Sequence, residues 1–181
     1  MSTEKLSLNT NISKELRVAT IDQLDEVVQV MRQAAAFKLA LGDTIWSKRD
    51  FQNDDVECYI ASENMRTLEV DGDIAVCGIV TSTDAAVWNK VGRDNLALYV
   101  HKLCTAEQYR GRKLGTYFLH LVEREAENNQ LSYVRLDCDY ENDKLCNYYE
   151  DLGYVCKSRE IKPGRLNGIY RAGLYEKDVR L

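Results

Sequence analysis

The chain has 181 residues, a length that suits one domain with its own core and argues against two. Hydrophobic residues at 45% and charged residues at 29% exclude a disordered chain, which is poorer in apolar groups and carries more net charge. A formal charge of -5 argues against a nonspecific grip on nucleic acid or on an anionic membrane, since both need clustered positive charge. No apolar run approaches the roughly 18 residues of a membrane span, and the start, MSTEKLSLNT, has no hydrophobic signal core. A cytoplasmic protein is expected. The six cysteines form no CxxC pair and stand near no histidine at a zinc-like spacing, so reduced, mostly buried thiols and no metal are expected.

Residues 1–14 are polar and aperiodic and read as a flexible tail before a single domain, 15–181. Glu15–Ala19 predicts a short strand. Thr20 and Asp22 are capping candidates for a helix whose apolar stripe is Ile21, Leu24, Val27, Val28, Met31, Ala34 and Ala35, stopped at Gly42. A second helix is expected near Asp54–Asn64. Thr67–Val70 and Ile74–Ser82 flank Asp71-Gly72-Asp73, a hairpin signal. Leu96–Thr105 predicts a long strand, and the spacing of Leu114, Phe118, Leu121, Val122 and Ala126 predicts an amphipathic helix ending at Asn128-Asn129. Tyr133–Cys138 reads as strand and Asp143–Leu152 as helix, with Gly153 as its stop. Tyr154–Ile161 and Ile169–Glu176 read as strands around Pro163-Gly164 and Asn167-Gly168. The order β-α-α-β-β-β-α-β-α-β-β is a mixed α/β layout without an internal repeat.

The most informative stretch is Gln108-Tyr109-Arg110-Gly111-Arg112-Lys113-Leu114-Gly115-Thr116, between a strand and a helix. From Gln108 to Val122 there are three cationic side chains and no carboxylate, against the sign of the whole chain. Unpaired N–H groups at a helix start, together with the helix dipole, favour phosphate there. Taken alone, the segment fits a phosphate site or a basic turn that starts a helix. The second stretch is Asn142 through Tyr154, with Tyr149-Glu150 followed by Gly153-Tyr154.

Together the two stretches resemble the GNAT superfamily of acetyl-CoA-dependent N-acetyltransferases. That family pairs an Arg/Gln-x-x-Gly-x-Gly/Ala loop with a later Asn…Tyr-Glu-x-x-Gly-Phe/Tyr segment. Arg110 and Gly115 match the outer positions of the loop; Asn142, Tyr149, Glu150, Gly153 and Tyr154 match the later segment. Lys113 departs from the pattern, standing where the family has its first glycine. If that position requires positive φ, lysine costs roughly 1 kcal/mol there.

The resemblance, which covers about residues 15–178, implies one α/β (α+β) domain with a mixed, mostly antiparallel sheet of about seven strands and about four helices. Its fourth and fifth strands would splay to admit the pantetheine arm of acetyl-CoA. Backbone groups of Leu103 and Thr105 would bond the pantetheine amides, and a backbone N–H there would polarise the thioester carbonyl. Arg110, Gly111, Arg112, Lys113, Leu114, Gly115 and Thr116 would hold the pyrophosphate, and Asn142 belongs to the same cofactor set. Acetyl would pass to a primary amine of a small molecule or protein by direct attack in a ternary complex, with Tyr149 protonating the departing thiolate. By itself, Tyr149 also fits a helix tyrosine packed at the core edge. Homodimers are common in the family, and the contact surface is not legible.

The general base stays open. His101 could accept the amine proton directly or through water, Glu69 or Asp84 could serve instead, or a chain of water. Trp46, Phe51, Trp88 and Tyr99 fall on segments that wall the acceptor cleft in this family, although aromatic residues are as often core. Asp137-x-Asp139-x-Glu141-x-Asp143 superficially resembles a calcium loop but lacks glycine at the sixth position and glutamate at the twelfth. It reads as an acidic patch, more a solvated face than a lure for a cationic amine. The loop lacks the P-loop and dinucleotide-binding glycine patterns. The alternative function is a noncatalytic acyl-CoA-binding module of the same fold.

Overall fold

A computed structural model describes residues 11–13, 15–43, 46, 51–88, 96–163 and 169–180. Seven strands form one sheet in the order β1-β2-β3-β4-β5-β7-β6. They are β1 (Arg17–Val18), β2 (Met65–Val70), β3 (Asp73–Thr81), β4 (Ala97–Thr105), β5 (Tyr133–Asp139), β6 (Val155–Pro163) and β7 (Ile169–Asp178). Among the described residues five helices accompany them: α1 (Leu24–Ala40), α2 (Asn53–Ala61), α3 (Ala85–Trp88), α4 (Leu114–Asn128) and α5 (Asp143–Asp151). Every neighbouring pair of strands is antiparallel except β4 and β5. The short α3 is one helix beyond the four expected; four residues are too few for an apolar period to show.

The expected elements lie where their patterns put them, with edges shifted by a few residues. The first strand shrinks to Arg17–Val18. Ile21–Gln23 forms a 3-10 turn ahead of α1, and the Gln23 side chain accepts the Thr20 N–H at 3.1 Å. Part of the expected tail, residues 11–13, runs beside the end of β2, where Ser13 N–H bonds the Glu69 carbonyl at 2.9 Å. The rest of that tail, and residues 164–168 between the last two expected strands, lie outside the described residues.

Helix α1 packs on β3 and β4. Helix α4 covers the other face, where Gly78 of β3 lies against the Phe118 ring. Their apolar stripes, Val27, Val28, Met31 and Ala35 on α1 and Phe118, Leu119, Val122 and Ala126 on α4, are buried against the sheet. Helix α5 sits beside α4, and its end shows why the Tyr-Glu-x-x-Gly-Tyr segment needs its glycine. Gly153 adopts φ 87°, its N–H bonds the Glu150 carbonyl at 2.9 Å, and the Tyr154 N–H bonds the Tyr149 carbonyl at 3.0 Å. This pair of bonds is a Schellman cap, and it needs a left-handed residue. The cap turns Tyr154 back into the core, where its hydroxyl donates to Glu123 Oε1 at 3.0 Å. Glu123 also accepts from Lys177 at 2.8 Å and lies 3.1 Å from His120 Nδ1, so a polar network ties α4, the link after α5 and β7 together. Four of the six cysteines are buried, Cys156 is half-buried and Cys58 is exposed; all six are free thiols.

Candidate active site

The parallel pairing of β4 and β5 runs from Ala97↔Tyr133 to Val100↔Leu136 and stops there. Both strands continue, β4 to Thr105 and β5 to Asp139, and the space between their ends is a cleft. Two features accompany the parting. Lys102 takes a left-handed φ of 50°, and the β3–β4 register slips between Cys77 and Ile79 at the same place. Such a bulge bends its strand and re-aims the backbone. Residues 101–105 of β4 thus have no partner on β5.

The cleft has a volume of about 1130 Å³. Leu103, Thr105, Arg110, Gly111, Lys113, Gly115, Thr116, Asn142 and Tyr149 line it together, which brings nine of the twelve sequence-expected site residues to one place. Leu114, Arg112 and His101 are outside the lining. Leu114 is buried in the core, Arg112 is exposed with its guanidinium 5.3 Å from the Tyr109 ring, and His101 stands behind Asp137. Trp46 lines the cleft, whereas Phe51, Trp88 and Tyr99 are buried. For those three the core alternative holds: Phe51 packs in the main core, and Trp88 and Tyr99 in a smaller cluster with Ala97, Ala172 and Leu174.

The basic loop leads into α4 through Lys113, which has φ 58° and ψ 20°. Positive φ is thus required at the one place where the family glycine is missing. No side chain caps this helix start and no acidic residue stands in its first turn, so its N–H groups and dipole face the cleft unopposed. Arg110 is partly committed: Nη2 donates to the Gln33 carbonyl at 2.8 Å and the guanidinium lies 4.3 Å from the Phe37 ring. It pins the loop to α1. A Cβ on Gly115 would stand 3.7 Å from Thr105 Oγ1, 3.7 Å from Tyr148 Oη and 3.9 Å from Leu103 Cδ2, so a side chain there would enter the slot between β4 and α5. Asn142 caps α5, accepting the Leu145 N–H at 3.1 Å. Tyr149 packs against Tyr148, Tyr154 and Tyr175, and burial, then neighbouring groups led by Cys138, push its phenol far above the usual tyrosine range. It keeps its proton at neutral pH.

On β5 is a cleft residue that sequence reasoning left in a solvated patch. The Asp137 side chain is only 15% exposed, lines the cleft, and accepts a hydrogen bond from the Tyr170 hydroxyl. Asp137 Oδ1 lies 3.7 Å from His101 Nδ1, and Asp84 Oδ2 lies 3.7 Å from His101 Nε2. Burial works to raise the Asp137 carboxyl, but the facing His101 ring and the hydrogen bond from Tyr170 outweigh it and hold the group below the usual range; burial raises Asp84. Glu69, another candidate base, pairs with Arg17 and accepts from Gln23, far along the sheet on β2. The only sequence signal for Asp137 was its place at the end of a strand.

The sequence pattern of the acetyltransferase (GNAT) family matches residues 27–154. A GNAT-family acetyltransferase from Streptococcus agalactiae shares the fold with a TM-score of 0.74 at 21% identity, over 92% of this chain and 95% of that one. A putative acetyltransferase from Salmonella typhimurium, solved with acetyl-CoA, superposes with a TM-score of 0.68 at 12% identity, over 94% and 95% of the two chains. An uncharacterized N-acetyltransferase of Bacillus subtilis, YesJ, is 28% identical over 71 residues, which are 39% of this chain and 39% of that protein's length. The family match runs through most of the chain and takes in the basic loop, α4 and Tyr149, and on that ground the chain belongs to the GNAT family of acetyltransferases.

Proposed function

We propose that the chain transfers the acetyl group of acetyl-CoA to a primary amine on a small molecule or protein, by direct attack in a ternary complex. The observation that carries this reading is the parting of β4 from β5 after Val100, beside an uncapped start of α4. The slot is open where a long, thin arm would enter, and a positive helix end faces its mouth. Backbone groups of Leu103 and Thr105 bond the pantetheine amides. Arg110, Gly111, Lys113, Gly115 and Thr116 surround the pyrophosphate, with Leu114 adding its N–H, Arg112 adding charge at the rim and Asn142 flanking the arm. Acetyl-CoA supplies a thioester. The bulge at Lys102 aims a backbone N–H at the carbonyl oxygen, and Tyr149 holds a proton for the thiolate. The base function belongs to the β5 end of the cleft, where His101 acts from behind Asp137. Composition and free thiols support a cytoplasmic place for the protein.

The test is release of coenzyme A thiol from acetyl-CoA across a panel of primary amines. Turnover with at least one amine, and about a 100-fold loss of kcat in Tyr149→Phe with unchanged acetyl-CoA affinity, is the expected result. Tight acetyl-CoA binding without turnover of any amine would leave the noncatalytic module instead.

A further inference from the structure

We propose that Asp137 receives the acceptor's ammonium group at the splay and that His101 and Asp84, stacked behind it, carry that ammonium's proton out of the cleft. The inference rests on the acetyl-transfer reading and names the group that touches the acceptor. Asp137 is the first residue of β5 beyond the last β4–β5 pair, and of the three side chains it is the one that lines the cleft. His101 faces Asp137 with one ring nitrogen and Asp84 with the other, each at 3.7 Å. A neutral imidazole donates from one nitrogen only, so it leaves one of two such carboxylates short; the protonated ring serves both. The shortage is visible. Asp84 Oδ2 is buried without a hydrogen-bond partner, its side chain is only 9% exposed, and its other oxygen accepts the Val87 N–H at 3.2 Å. A proton reaching His101 supplies the missing donor. Separations of 3.7 Å exceed a hydrogen bond, but such contacts are commonly long before substrate binds.

The surrounding charges are already committed. Lys162 of β6 donates to the Val87 carbonyl at 2.6 Å and pairs with Glu160 at 3.2 Å. Tyr170 of β7 spends its proton on Asp137, and Arg135 of β5 is bound to Glu176. Two carboxylates against one imidazole leave this wall attractive to a cation. The Tyr170 hydroxyl and the facing imidazole keep Asp137 ionised as the anchor, while burial makes Asp84 the better final holder of a proton.

The protons balance as follows. The His101 ring rests with its proton on Nδ1, which leaves Asp84 short, and shifts it to Nε2 by exchange with solvent. The ammonium then gives one proton to Asp137, which passes it to Nδ1 while the Nε2 proton moves to Asp84 and on to solvent, restoring the resting ring. The freed lone pair forms the C–N bond as the C–S bond breaks. A second proton leaves the amine nitrogen and replaces the one Tyr149 gives to the thiolate. The same three side chains are close enough to hold a metal ion. A metal, however, takes one imidazole nitrogen together with both carboxylates, and here the carboxylates face different nitrogens.

The test compares aliphatic amines, which arrive as ammonium ions, with weakly basic aromatic amines, which arrive neutral. Asp137→Asn is expected to raise KM for the aliphatic amine by about 10-fold or more and to weaken its calorimetric binding to the protein without acetyl-CoA, leaving acetyl-CoA affinity intact. Asp84→Asn and His101→Gln are expected to lower kcat about 10-fold for the aliphatic amine, to displace the acid limb of its pH–rate profile, and to spare the aromatic amine. Equal losses for both amine classes, or an unmoved pH profile in folded variants, would overturn the proposal. So would activity abolished by EDTA and restored by Zn²⁺. Ring 15N NMR of His101 reads the contacts without turnover: its signals should move with Asp84→Asn, with Asp137→Asn and with added aliphatic amine, and unmoved signals refute the relay. Moving signals in a protein that turns over no amine would instead overturn the acetyl-transfer reading and keep the site.

Discussion

The two halves of the β4–β5 pair put the same strands to opposite uses. Below Val100 they are hydrogen-bonded, and the charge buried there is well served. Arg135, 3% exposed, pairs with Glu176 at 2.8 Å, donates to the Tyr99 hydroxyl at 2.7 Å, and has the rings of Trp88, Tyr99 and Tyr133 within 5.0 to 5.6 Å. Above Val100 the strands part, and two carboxylates share one histidine while a buried oxygen goes without a donor. A buried charge with a full set of partners holds a fold together. An incomplete set leaves a place where a proton or cation binds.

The comparison is broken most severely from its structural half. Arg135→Leu strands Glu176 in a low-dielectric site and is expected to cost about 3 kcal/mol, at the lower end for a broken buried pair because Lys157 also reaches Glu176 at 3.5 Å. Chemical denaturation reads this loss, and activity per folded molecule should be spared. Tyr149→Phe does the reverse: kcat falls about 100-fold while the denaturation midpoint moves little. Tyr154→Phe removes one hydrogen bond to Glu123, whose other partners remain, so about 1 kcal/mol of stability is lost with kcat retained. Lys113→Gly relieves a left-handed lysine and should gain up to about 1 kcal/mol, less whatever entropy glycine adds to the unfolded chain. If it also weakens acetyl-CoA binding, the lysine's charge serves the pyrophosphate.

The smallest effect sharpens the comparison most. Asp84 has its folded-state pKa raised by burial, so the ionised group disfavours folding above its unfolded pKa of about 3.9. Asp84→Asn is therefore expected to raise the melting temperature at neutral pH, and the gain should vanish as pH falls below about 4, where both states are neutral. Asp137 has the opposite sign: its lowered pKa adds stability above about pH 4 that is lost as pH falls through the folded value. A variant that stabilises the fold while slowing catalysis would mark the upper half as a functional strain.

The elements proposed to hold the cofactor were legible because their chemistry is local. A basic, glycine-bearing strand-to-helix turn and a Tyr-Glu-x-x-Gly-Tyr helix end each act within about a dozen residues, so their spacing survives in the sequence. The proposed acceptor side was not. Asp84, His101 and Asp137 come from three separate segments, and only the register of β4 on β3 and β5 brings them together. Asp137 looked like one member of an acidic run because nothing near it in sequence shows that Tyr170 and His101 lie against it.

The sequence by itself determined the order of the elements, the apolar stripes of α1 and α4, the glycine stop of α5 and the anion-seeking start of α4. Each follows from periodicity, capping or backbone freedom within a few residues. Only the tertiary structure decided where β4 leaves β5, that Lys102 forms the bulge, that Trp88 and Tyr99 belong to the core, and that His101 stands one layer behind the cleft. Those outcomes depend on strand register and on partners tens of residues away, and a sheet expresses such information only once its strands are paired.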